Sequence, residues 1–159
     1  MNSEHWAAIS DFIEFLEMTP DDVRLGRRGW DAIEPQMPQV LDTFYTSRIM
    51  TGAHKAFPDF DVERLKGKQM RYWQALFAGD YGEVYRSHAI KIGHAHRQAG
   101  VSLTDYVLSY GWFLNKFAAI VRDAFADAQE GEAIISAMRK IIFLDLSIAS
   151  STYYVTFID

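Results

Sequence analysis

Apolar side chains return at helical spacing along most of the chain, without the short alternating runs that mark strands, and this pattern predicts an all-α fold. A first amphipathic helix is expected in "HWAAISDFIEFLEM". In the "TPDD" that follows, Thr19 suits an N-cap, Pro20 the first helical position and Asp22 the return bond of a capping box. Pro35 and Pro38 interrupt the pattern before "QVLDTFYTSRIM", and Gly52 with Pro58 marks an irregular link. Leu65, Gln69, Trp73 and Leu76 then recur on one face of "DVERLKGKQMRYWQALFA", with Gly79 as the expected stop. The next helix holds three histidines and should close at Gly100 in the left-handed conformation. Ser102 and Asp105 of "SLTD" open a long helix to about Ala128, and a last helix is expected from roughly Glu132 to Phe157.

That last helix is apolar around most of its circumference, from Ile134 and Ile135 through Phe143 to Ile148. Such a helix needs cover on more than one side. A copy of the same element supplies the second side most cheaply in a small domain, which predicts a homodimer through the last two helices. The competing arrangement encloses the helix at the centre of one chain.

Composition narrows the function classes. With 159 residues, 49% of them hydrophobic, one domain with a substantial core is expected over 1–159. A net charge of −5 argues against a nucleic-acid or anionic-membrane partner, both of which call for a basic patch. No cysteine is present, so a metal must be held by nitrogen or oxygen, and a cytoplasmic setting suits the chain. The start "MNSEHWAAISDF" lacks the pattern of an export signal, and no window reaches the ~18 uninterrupted apolar residues of a membrane span. Because "TYYVTFID" ends within a helical pattern without a stop signal, the chain reads as the N-terminal part of a longer protein with an effector domain in cis.

The candidate chemistry lies in "SHAIKIGHAHRQAGV", which holds His88, His94 and His96. His94 and His96 point to opposite sides of a helix, while His88 and His96 share a face but lie two turns, roughly 12 Å, apart. They cannot converge on one ion, and no Glu-x-x-His string accompanies them. One imidazole on an apolar face can instead hold a metal already bound in a macrocycle, since haem iron takes a single axial histidine. His96 fits best, with Ile92, Ala99 and Val101 as apolar neighbours and Gly93 allowing close approach. Spacing alone leaves His96 open between this role and that of a surface or packed histidine.

Three stretches resemble the globin-coupled sensor and protoglobin family. "IGHAHRQAGV" resembles its proximal-histidine segment, with His96 at the ligand position. "FLEMTPDDVRLGRRGWDAIEPQMPQVLDTFYTSRI" resembles its first helices, and "LKGKQMRYWQALFAGDY" its distal helix; together they cover roughly residues 12 to 113 in the same order. The resemblance implies a globin fold with an extra N-terminal helix, a haem b cofactor held through His96, O2, CO or NO as ligands, and a dimer through the last two helices. It also implies that Tyr45 is the distal tyrosine, whose hydroxyl donates to bound O2. In a dry pocket such a bond stabilises a partly negative ligand by more than the ~1 kcal/mol of an ordinary hydrogen bond. Leu65 and Gln69 are placed to face the ligand, with Gln69 either a second donor or turned to solvent, and Trp73 near the porphyrin edge. Gln69 departs from the apolar or small hydroxyl residue usual in the family. The distal helix contains no histidine, which implies an open or weakly water-occupied sixth position.

The expected function is thus a haem-based O2 sensor domain that is not itself an enzyme, signalling through its last helices to an effector. His5, His54, His88 and His94 are assigned to the surface or to packing, Trp30 and Trp112 to the core, and the Tyr153–Tyr154 pair to core or interface. A cofactor-free helical dimerisation module is the alternative.

Overall fold

The computed structural model describes residues 3–51 and 61–153, and among them every regular element is a helix. A short 3-10 turn, Ser3–Trp6, precedes α1 (Ile9–Phe15) and α2 (Pro20–Ile33). A second 3-10 turn, Glu34–Gln36, leads into α3 (Met37–Tyr45), and residues 48–51 are again helical. Then follow α4 (Val62–Phe77), α5 (Glu83–Gln98), α6 (Leu103–Ala124) and α7 (Ala128–Ser151). His54, the Gly52 and Pro58 link and Tyr154 lie outside the described residues.

The caps form largely where their residues predict. Thr19 Oγ1 accepts from the Asp22 N–H at 3.2 Å, and the Asp22 carboxylate accepts from the Thr19 N–H at 2.9 Å. Lys140 of α7 donates to the same carboxylate at 3.0 Å, fixing the start of α2 to the last helix. Ser102 Oγ accepts from the Asp105 N–H at 3.0 Å. Gly79 and Gly100 adopt φ of 85° and 83°, the left-handed region that ends α4 and α5. Past Gly100 the Val101 N–H returns to the His96 carbonyl at 3.0 Å, so the end of the histidine helix is locked one residue beyond its stop.

Expected boundaries change at the first helix, at the end of α6, which stops at Ala124 and not near Ala128, and at both ends of the last helix, which stops at Ser151 and not near Phe157. The first helix is shorter than its pattern, because the chain enters as a 3-10 turn and α1 begins only after Ala8. The last helix starts before Glu132, because Asp127 caps it by accepting from the Gln129 N–H at 2.9 Å.

α7 runs through the middle of the molecule with α2, α5 and α6 packed around it. Ile134, Ile135, Met138, Ile141, Ile142 and Ile148 are therefore buried within one chain. Enclosure by its own chain, not by a copy, accounts for most of the apolar circumference; Phe143 is left 48% exposed and Leu146 half-buried. Trp30 and Trp73 sit in the aromatic core beside Phe77 and Phe117, whereas Trp112 lies half-buried at its edge, against Phe44 and below Lys116.

Candidate functional site

The histidine helix resolves its three imidazoles differently. His94 is exposed, and His88, also exposed, stacks on the Tyr72 ring at 5.9 Å. His96 is half-buried, and its Nδ1 lies 2.8 Å from the Ile92 carbonyl oxygen one turn earlier. A carbonyl only accepts, so Nδ1 carries a proton, and Nε2 is the nitrogen through which this imidazole would ligate a metal. Against the other side of the ring lies Tyr106 of α6, with ring centroids 4.8 Å apart.

Gly93 does allow a close approach, but to α7. A Cβ there would collide with the Ala149 carbonyl oxygen and come within 2.8 Å of Thr152 Oγ1. Ala99, expected beside His96, is exposed; Ile92 and Val101 are half-buried, and the Val101 carbonyl accepts from Tyr153 Oη at 2.9 Å. Tyr153 is thus a packing residue near Tyr106.

On the α3 and α4 side, the structure joins three of the expected residues. Trp73 Nε1 donates to Gln69 Oε1 at 3.2 Å, and Gln69 Nε2 donates to Tyr45 Oη at 3.3 Å. Indole can only donate, which fixes the orientation of the Gln69 amide and makes Tyr45 an acceptor in this chain. The phenol proton is consequently not spent on Gln69, and no acceptor for it occurs among the described residues. Burial raises the Tyr45 pKa from 10.0 to about 12, so the hydroxyl remains a donor throughout the neutral range. Gln69 is turned towards Tyr45 rather than to solvent. Leu65, one turn before it, is half-buried against the core.

α4 packs against α2, α3 and α7, and α5 packs against α7, so the tyrosine side and the histidine side share the central helix as a support. Ring contacts link them through α6: Trp73 lies 6.1 Å from Tyr110, and Tyr110 lies 5.1 Å from Tyr106. Among the described residues no group of three or more His, Asp or Glu could hold a bare ion. One imidazole with Nδ1 held by a carbonyl, apolar neighbours on α4 and α5 and a protonated phenol on another helix is a donor set that fits a macrocycle-bound iron with one axial ligand.

The sequence did not flag Tyr72, Tyr85, Tyr106, Tyr110 or Asp145 as a group. Tyr72, Tyr85 and Tyr110 all donate to the fully buried Asp145. The available signal was Asp145 itself, a lone acid in the apolar run "IIFLDLSIAS".

This helical arrangement is that of a globin. Its geometry matches the globin domain of the Geobacter sulfurreducens globin-coupled sensor with a TM-score of 0.82, at 24% identity, over 92% of this chain and 98% of that one. The Protoglobin family profile matches residues 7–156, and the chain belongs to the protoglobin family. Its class is accordingly that of the haem-binding globins, with haem b as the usual cofactor. No curated protein sequence matches the chain. A cofactor-free dimerisation module is set aside by the family. No helix among the described residues is long and apolar enough to cross a membrane.

Proposed function

We propose that this chain is an O2-sensing globin domain in which His96 is the axial ligand of haem b and Tyr45 is the hydrogen-bond donor to the bound gas. When bound, haem supplies one open coordination position for O2, CO or NO. The residues supply everything else. The Ile92 carbonyl holds His96 through its Nδ1 proton, and Tyr106 limits rotation of its ring. Leu65, Ile92 and Val101 keep water away, while Trp73 and Gln69 orient the Tyr45 hydroxyl. The observation that carries the reading is the direction of the Trp73–Gln69–Tyr45 chain, which leaves the phenol proton for an outside acceptor.

The test is the visible spectrum of the haem-loaded protein, reduced and exposed to O2 and then CO. A strong band that shifts with each gas, is lost or altered in His96→Ala and survives in His94→Ala is the expected result. Uptake and spectra unaffected by His96→Ala would overturn the ligand assignment.

The signal is proposed to leave through α6 and α7 to an effector in cis, in a homodimer that pairs these helices. Val107, Leu108 and Phe143, exposed by 42, 57 and 48%, flank a groove of about 540 Å³ between them. A single chain mass by light scattering at micromolar concentration would count against the dimer; if it forms, Leu108→Glu should dissociate it.

A further inference from the structure

α7 is built almost wholly of apolar residues on its buried faces, yet Asp145 is placed there without any exposure to solvent. A carboxylate in that setting is tolerated only when its oxygens are fully engaged, and stability alone does not call for one, since apolar residues of similar volume serve a core equally well. Its partners come from three other helices. Tyr72 of α4 and Tyr85 of α5 each donate to Oδ1 at 2.5 Å, and Tyr110 of α6 donates to Oδ2 at 2.6 Å. These are the short distances of hydrogen bonds to a charged acceptor.

Proton accounting extends the cluster in both directions. Tyr110 has one proton and spends it on Asp145, so in the 3.3 Å contact between Tyr106 and Tyr110 it is Tyr106 that donates. Tyr106 is the side chain seated against His96. Tyr72 adjoins Trp73, with ring centroids 6.5 Å apart, and Trp73 holds Gln69. The histidine side, through Tyr110 and Tyr106, and the tyrosine side, through Tyr72 and Trp73, thus both hang on a single carboxylate in the central helix.

We propose that Asp145 is the positioning residue of the gas-binding site: through Tyr110 and Tyr106 it fixes the seat of His96, and through Tyr72 it fixes the turn of α4 that carries Trp73 and Gln69. The inference rests on His96 being the haem ligand. It makes the two arms separable. Cutting the Tyr110 arm leaves Tyr106 without its acceptor and alters the histidine side, while cutting the Tyr72 arm alters the distal side and spares the histidine.

The experiment uses the haem-loaded chain and reads two quantities: the iron–histidine stretching line of the ferrous protein by resonance Raman, and the O2 dissociation rate by stopped flow. Tyr110→Phe is expected to move the line. Tyr72→Phe is expected to leave the line in place and raise the dissociation rate measurably, by less than the about fivefold that corresponds to one ordinary hydrogen bond. Asp145→Asn should do both; if it does not fold, the two phenylalanine variants carry the test. Ile148→Val, a small cavity in the same buried helix outside the cluster, should change neither. An unmoved line in Tyr110→Phe, or equal changes of both readouts in every variant including Ile148→Val, would overturn the role of Asp145 while leaving the site intact. A line that persists in His96→Ala would instead overturn the ligand assignment and the positioning role with it.

Discussion

At the scale of single residues, the chemistry follows from which groups can only donate and which can only accept. A carbonyl opposite His96 Nδ1 fixes a proton on that nitrogen, and an indole opposite Gln69 fixes its amide. Tyr45→Phe should therefore raise the O2 dissociation rate by about fivefold or more, corresponding to at least ~1 kcal/mol from a donor in a dry pocket. An unchanged rate would remove Tyr45 from the distal role. Gln69→Leu is expected to have a smaller effect in the same direction, because it frees the phenol to rotate without deleting its proton. His96 and Tyr45 were legible as candidates because their neighbours resemble a family pattern. The direction of Gln69 was not, since spacing tells which face a side chain occupies and says nothing of the partner waiting there. Asp145 was passed over for a similar reason: its three phenols lie 73, 60 and 35 positions away in sequence, and no local pattern joins them.

At the scale of elements, local signals placed most of the ends. Thr19, Ser102 and Gly100 act where the sequence puts them, because a cap needs only the few residues around it. The start of α7 was misjudged because Gly131 weakens the helical pattern just after the true cap, Asp127, and packing overrides that weakness. Gly93 shows the limit of such reading: its small size was evident, but the helix it admits was not. Gly93→Ala should destabilise the fold by roughly 1–3 kcal/mol, since the new methyl meets a main-chain carbonyl that cannot turn aside. A thermal midpoint equal to that of the parent would show that α5 and α7 are not seated as described.

At the scale of the whole molecule, the enclosure of α7 and the number of buried phenols set the response to pH. Burial raises the pKa of Tyr45 to about 12 and also raises those of Tyr72, Tyr81, Tyr85, Tyr106 and Tyr110 above the ordinary phenol value. In the unfolded chain the same phenols lose their protons around 10.0, so above that pH the unfolded state binds fewer protons and stability falls as pH rises. Tyr45 alone accounts for about 2 kcal/mol by pH 12. Helical circular dichroism should accordingly be lost in the same step in which tyrosinate absorbance appears; tyrosinate forming while the helices persist would contradict the burial of these groups. The all-α class was legible from periodicity alone. The central position of α7 was not, because an apolar circumference is equally consistent with a crowded interior and a shared interface, and it takes the packing of α2, α5 and α6 to show how much of it one chain covers.

The seam at Gly93 has a mechanical meaning. Side chains between two helices act as a soft layer that takes up small displacements by changing rotamer, and at Gly93 that layer is missing, so the backbone of the histidine helix bears directly on Ala149 and Thr152 of the last turn of α7 and its cap. A push on His96 meets little compliance there: whatever the iron's ligand moves, the far end of the central helix must move with it.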